Sequence, residues 1–274
     1  MITLINGEPG SRIEAIDRGL QFGDGVFETL RLEAGRPALW ARHWMRLCRG
    51  LDRLGIPRPG EQDCLDELAR ASLQVPSMAK LIVTRGPGPR GYAPPPRVRP
   101  TRIVMGGAPL DIPGTSDILR LGVCRTRVAR SPLPGCKHLN RLENVLARRE
   151  WAEDWDEGLM LDAAGRVRCA TQSNVFVLEA GVLLTPGLSA HGVAGTRRGW
   201  LLDHAGAFGL PVRETSLTLE RVRRSDAVFL TSARLGLRRA ALVTQRGRPT
   251  DGNLGVASVL ERIREMGEHM NALG

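Results

Sequence analysis

Apolar residues at Trp40, Trp44, Leu47, Leu51 and Leu54 recur every three or four positions, which places them on one helical face and predicts an amphipathic helix over residues 38–55. A second helix is expected over 61–73, and a closing amphipathic helix over 256–270. Leu142, Val145 and Leu146 are also spaced for one face of a helix. Short apolar or alternating runs at 2–6, 79–84 and 101–105, and again at 118–127, 158–161, 166–170, 173–178, 182–185, 227–231 and 240–244, read as strands. Turn chemistry such as Gly7-Glu8-Pro9-Gly10, Ala163-Ala164-Gly165 and Ala180-Gly181 separates them, so the second half should carry a mainly antiparallel sheet. Residues 85–96 hold too much Pro and Gly for the interior of either element.

A chain of 274 residues is comfortable as two domains. The Gly- and Pro-rich stretch 106–114 reads as the connection. This gives a small N-terminal α/β domain (1–107), a linker (108–116) and a C-terminal domain (117–274).

Composition narrows the chemistry. The 39 basic residues include only two lysines, Lys80 and Lys137, in a chain that otherwise uses arginine for positive charge. Arginine stays protonated in proteins, whereas a partly desolvated lysine can act as a free amine toward a carbonyl or a proton. Lys137 follows Pro132, Pro134 and Gly135, which break any preceding helix, and leads toward the Leu142 helix, so it sits on a constrained approach. Five cysteines (Cys48, Cys64, Cys124, Cys136, Cys169) show no C-x-x-C spacing and suggest neither a disulfide framework nor a metal site. The net charge of +10 favours an anionic partner. The arginines are dispersed and there is a single tyrosine, Tyr92, so a small anion is expected rather than nucleic acid. No apolar run reaches the roughly 20 residues of a membrane span, and the first residues lack the basic and apolar regions of a signal peptide. A cytoplasmic protein is expected.

The phrase Lys137-His138-Leu139-Asn140-Arg141-Leu142-Glu143-Asn144-Val145-Leu146 resembles the lysine segment of the pyridoxal-phosphate (PLP) enzymes of the D-amino-acid and branched-chain aminotransferase fold, and within them most resembles the aminodeoxychorismate lyases. Further motifs in the family's order extend the resemblance from about Asn6 to about Ala240. It implies an α+β fold with a small α/β domain and a larger, mainly antiparallel pseudo-barrel domain. It also implies PLP linked to Lys137 and a homodimer with shared active sites. Asp17-Arg18-Gly19-Leu20-Gln21-Phe22-Gly23-Asp24-Gly25-Val26-Phe27-Glu28-Thr29 matches the family's N-terminal phrase, making Phe27 and Thr29 pocket-wall candidates. His43-Trp44-Met45-Arg46-Leu47 matches His-x-x-Arg-Leu, whose arginine binds the cofactor phosphate, so that role falls to Arg46. Arg90 and Tyr92 stand where the family traps a substrate carboxylate from the neighbouring subunit. Gly195, Thr196 and Arg197 open a helix at the family's phosphate cup, with Asn174 and Ser232 nearby in the pattern.

The pattern is broken at the position facing the pyridine nitrogen. In Cys169-Ala170-Thr171-Gln172-Ser173-Asn174-Val175-Phe176 a cysteine stands where the family usually has glutamate. A neutral thiol does not hold a pyridinium as a carboxylate does. This favours a lyase that eliminates pyruvate over a D-amino-acid or branched-chain aminotransferase, which would keep the glutamate. A non-catalytic family member that binds an anion stays open. Arg238, in a segment that departs from the lyase pattern, is read as a substrate contact or a solvent-facing side chain.

Overall fold

The protein is described here by a computed structural model covering residues 2–73, 75–110, 118–151, 153, 155–243 and 257–272. It divides into two compact units, the first built from Met1–Asp111 with Cys136–Asn140, the second from Ile112–Gly135 and Arg141–Ala272.

The first unit contains β1 (Ile2–Ile5), β2 (Glu8–Pro9), α1 (Arg18–Phe22), β3 (Gly25–Glu33), β4 (Arg36–Pro37), α2 (Trp40–Leu54), α3 (Glu61–Arg70), β5 (Ser77–Thr84) and β6 (Thr101–Pro109). Its strands form an antiparallel sheet in the order β2-β1-β6-β5-β3-β4. Alternation along β3 buries Val26, Glu28, Leu30 and Leu32 toward α2 and leaves Phe27, Thr29 and Arg31 half-buried on the other face. The first face is closed by Leu47 and Leu51 of α2 and Leu68 of α3, as the 38–55 periodicity requires. The helix is trimmed to Trp40–Leu54 because Leu39 and Gly55, both with positive φ, turn the chain at its ends. Residues 106–109, expected in the linker, instead continue β6: Gly106 pairs with Ile2, Ala108 with Met78 and Pro109 with Ser77. Gly106 is also required by packing, since a Cβ there would lie 2.3 Å from the Ala71 carbonyl oxygen. Residues 111–117 of the expected linker region lie outside the described residues.

The second unit contains β7 (Leu119–Arg127), α4 (Leu142–Arg148), β8 (Glu157–Leu161), β9 (Arg166–Ala170), β10 (Asn174–Glu179), β11 (Val182–Pro186), α5 (Thr196–His204), β12 (Val212–Thr215), β13 (Leu217–Thr218), α6 (Leu219–Arg224), β14 (Ala227–Ser232), β15 (Gly236–Leu242) and α7 (Ala257–Ala272). Nine strands join in the order β12-β11-β10-β14-β15-β7-β8-β9-β13, with five antiparallel and three parallel neighbours. The mixture is α+β with antiparallel pairing dominant. Leu121, Leu159, Val175, Val177 and Leu230 form its core.

Candidate active site

Lys137 sits on extended backbone docked beside the start of β3, and α4 begins only at Leu142. Phe27 donates its N–H to the Lys137 carbonyl (2.9 Å), and Leu139 donates to the Gly25 carbonyl (3.0 Å), with Val26 and His138 as an antiparallel bridge. The Asn140 amide nitrogen donates to the Gly23 carbonyl (3.1 Å). Gly23 must be glycine, because φ is +64° and a Cβ would meet the Asn140 side chain at 2.5 Å. The Gly23–Gly25 motif and the Lys137–Asn140 motif, over a hundred residues apart in sequence, thus build one backbone scaffold that sets the direction of the Lys137 side chain.

That side chain places its Nζ 4.4 Å from the centroid of the Phe27 ring. Lys80 places its Nζ over the same ring at 4.7 Å, from the β5 position paired with Thr29. Phe27, Thr29, Lys80 and Lys137 are therefore brought together, three of them on one sheet face. The Lys80 side chain makes no hydrogen bond or ion pair with another described residue, and burial depresses its pKa.

The opposite face of β3 carries a buried charge cluster. Glu28, 1% exposed, accepts from Arg46 Nε (2.8 Å) on Oε1 and from Arg46 Nη2 on Oε2, and His43 Nδ1 lies 2.7 Å from Oε2. Burial pushes the Glu28 carboxyl up, but Arg46 and then His43 overcome it and hold its pKa at about 2. Arg46 is thereby held by a two-pronged pair, in the geometry that fixes a guanidinium.

Arg90 and Tyr92 lie on the loop after β5. Both side chains are exposed, Tyr92 at 87%.

In the second unit, the loop ahead of α5 is held by Asn174, whose amide donates to the Val193 carbonyl (3.0 Å). The Asn174 oxygen lies where a Cβ on Gly195 would come within 2.0 Å, so only glycine fits at this N-cap. Asn174 also pairs with Thr231 of β14. The Thr231 hydroxyl is buried with no hydrogen-bond partner among the described residues, and the neighbouring Ser232 Oγ accepts from the Leu235 N–H (3.2 Å). Thr196 and Arg197 are buried in the first turn of α5. A helix N-terminus opened by glycine, beside a buried hydroxyl lacking a partner, fits an anionic group such as the PLP phosphate.

Cys169, on β9, packs with Cys124, Val128, Ala147 and Met160. Burial, reinforced by Glu143 and Glu157, pushes its thiol up to about 12, so it is neutral across the physiological range. Glu157 accepts from the Ser173 hydroxyl (3.0 Å), the Thr171 hydroxyl, and the Gly158 (3.0 Å) and Gln172 (3.3 Å) N–H groups. Burial raises its pKa. It fixes the turn between Cys169 and Asn174.

One expectation holds and one needs correction. Leu142, Val145 and Leu146 share α4, as their spacing predicts, and at 70, 54 and 44% exposed this apolar stripe faces away from the core of its unit. Arg238 is buried in β15, not solvent-facing. Sequence reasoning missed Glu28, Glu157 and Thr231, whose roles arise from burial; Lys80 was signalled only by the rarity of lysine. Among the described residues no group of His, Cys, Asp and Glu is placed to hold a metal ion, and no helix is long and apolar enough to cross a membrane.

The chain is similar to several known proteins. The profile of the family described as amino-transferase class IV matches residues 25–243. An aminodeoxychorismate lyase of Vibrio harveyi is 32% identical over 238 residues, covering 85% of this chain and 88% of its own. A D-alanine aminotransferase of Listeria monocytogenes is 29% identical, covering 85% and 84%. Among solved structures, 4-amino-4-deoxychorismate lyase from Pseudomonas aeruginosa superposes with a TM-score of 0.85 at 37% identity, covering 96% of this chain and 98% of its own. The branched-chain amino acid aminotransferase from Escherichia coli, at 21% identity and a TM-score of 0.79 over 97% and 92%, shares the fold. With a family profile spanning most of the sequence and a relative 32% identical over 85% of it, the chain belongs to the class IV amino-transferase family.

Proposed function

We propose that this protein is a PLP-dependent lyase that eliminates pyruvate from 4-amino-4-deoxychorismate and releases p-aminobenzoate. The observation that carries the reading is the Lys137 amine, fixed over Phe27 by the pairing of residues 137–139 with 25–27. Lys137 would hold the cofactor covalently. Arg46, Gly195, Thr196, Arg197 and Ser232, with Thr231, would bind its phosphate, and Asn174 would keep that loop in shape. When bound, PLP supplies an electron sink to the amine-bearing carbon of the substrate. The Lys137 amine takes the proton from C4 of the substrate ring, and Phe27 and Thr29 wall the pocket. A lysine base acts in its neutral form. The substrate's carboxylates suit a chain of net charge +10.

Cys169 supports elimination over amino transfer. A thiol held at about 12 is a neutral partner for the pyridine nitrogen and gives little help in storing a carbanion. Elimination needs less storage, because the leaving group departs and the product ring becomes aromatic.

We also infer a homodimer in the cytoplasm, with Arg90 and Tyr92 completing the partner's site. Their exposure and the apolar stripe of α4 suit surfaces that a second copy covers. The five cysteines, free and buried, suit a reducing compartment. The test is incubation with enzymatically prepared aminodeoxychorismate: p-aminobenzoate and pyruvate should form in equal amounts. Their absence, with keto-acid-dependent amino transfer in their place, would make it an aminotransferase.

A further inference from the structure

The family reading gives work to Arg90 and Tyr92 but none to what holds them. Residues 90–92 have no regular secondary structure, and Gly91 has a positive φ of 91°. Such a segment reaches one conformation only if something else restrains its backbone. That restraint comes from Arg18, whose side chain is 3% exposed. Its Nη1 donates to the Gly91 carbonyl and its Nη2 to the Tyr92 carbonyl, both at 2.9 Å. A guanidinium can grip two consecutive carbonyls in this way because its donors form a rigid planar fork, a fixed geometry that an ammonium lacks.

The fork is itself anchored. Arg18 Nε donates to Asp24 Oδ2 (3.0 Å), and the same carboxylate receives Arg85 Nε at 2.7 Å and Nη2 at 3.1 Å. Arg85 also donates to the carbonyls of Leu54 (2.6 Å) and Gly55 (3.0 Å) at the end of α2. The loop is therefore tied to the body of the first unit at its start, through Arg85, and again at Gly91 and Tyr92. Side chains add to this. The Arg18 guanidinium lies 4.8 Å from the Phe22 ring centroid, and the Phe22 ring lies 5.5 Å from that of Tyr92. Gly88 leaves room for the Arg18 stem, since a Cβ there would meet Arg18 Cδ at 2.7 Å.

We propose that Arg18 is a positioning residue: through Gly91 and Tyr92 it fixes the 90–92 loop in the one shape that presents Arg90 and Tyr92 to an anionic substrate. The proposal rests on the reading of Arg90 and Tyr92 as substrate contacts. Arg18 acts through the loop backbone, and its effect is on capture rather than on the chemical step.

The experiment compares PLP-loaded wild type, Arg18→Met, Arg18→Lys and Gly88→Ala by two readouts. The first is the rate of tryptic cleavage after Arg90. The second is steady-state release of p-aminobenzoate from aminodeoxychorismate. Arg18→Met should be cleaved after Arg90 at least tenfold faster while cleavage elsewhere keeps its rate. Its KM should rise at least tenfold with kcat within about threefold, the pattern of lost binding rather than lost chemistry. Arg18→Lys should fall between, and Gly88→Ala, which crowds the Arg18 stem, should move both readouts the same way. Unchanged cleavage and KM in Arg18→Met and Gly88→Ala would overturn the proposal, as would a fall in kcat at constant KM. If Arg18→Met is cleaved faster throughout the chain, its fold is lost and Gly88→Ala decides. If wild type releases no p-aminobenzoate, the lyase reading fails on its own, and cleavage after Arg90 still decides whether Arg18 holds the loop.

Discussion

Lys80 and Lys137, the only lysines in the chain, lie over one aromatic ring, with their nitrogens 4.7 and 4.4 Å from the centroid of Phe27. Their charges are thus no more than about 9 Å apart, close enough to repel in a partly desolvated site. What distinguishes them is the backbone. Lys80 is an interior residue of β5, whereas Lys137 is on a docked segment fixed by Gly23, Gly25 and Phe27. The sequence makes either lysine a candidate amine; the local structure gives Lys137 the dedicated scaffold.

Loss of Arg46 should weaken cofactor binding and also lower stability, since it leaves the buried Glu28 carboxylate without its guanidinium. One charge-assisted hydrogen bond to the phosphate contributes about 1.5–3 kcal/mol, roughly ten- to a hundred-fold in affinity. Titration of PLP into Arg46→Ala should show that loss. An unchanged dissociation constant would remove Arg46 from the phosphate site.

The Glu28 cluster makes stability depend on acid. Its carboxyl is held at about 2, below the ordinary value of 4.5, so the stabilisation is fully present above about 4.5 and is lost as pH falls through 2. The difference corresponds to about 3 kcal/mol. Denaturant unfolding between pH 6 and 2 should show a steeper fall for wild type than for Glu28→Gln, which has no proton to take up there. Parallel curves would mean that Glu28 is not held in its charged form by Arg46 and His43.

Sharing of active sites predicts complementation. An Arg90→Ala chain should capture substrate poorly and a Lys137→Ala chain should be inactive, but a mixed dimer with shared sites would have one site with both residues intact. Mixing them after verified subunit exchange should restore part of the activity. No recovery would place Arg90 in the site of its own chain.

Cys169 should set the balance between elimination and amino transfer. Cys169→Glu is expected to keep lyase activity within about tenfold, a barrier change of roughly 1.4 kcal/mol. It should raise the conversion of bound PLP to pyridoxamine phosphate by amino acids. If wild type already makes that conversion as fast as the variant, Cys169 does not tune the cofactor.

Much of this was legible in the sequence where one signal dominates. The α2 stripe of Trp44, Leu47 and Leu51 and the short strands of the second unit follow from periodicity and turn chemistry. Other features were not, because they depend on partners distant in sequence. Gly106 reads as a linker glycine until Ala71 is seen against it. Leu142, Val145 and Leu146 have helical spacing, but spacing does not say what a face packs against. Asp24 stands in the sequence only as part of the family's N-terminal phrase, and only the fold brings Arg18 and Arg85 to its carboxylate. Cys169 was legible as a departure from the family pattern, and its neutrality follows from burial that the sequence does not record.

The most direct measurement is borohydride reduction of the PLP-loaded protein followed by peptide mapping. With two lysines in the chain the outcome is close to binary. The reduced cofactor should be found on the peptide containing Lys137, with Lys80 unlabelled. Label on Lys80, or full reduction with no label on either, would contradict the assignment of Lys137 as the residue that holds the cofactor.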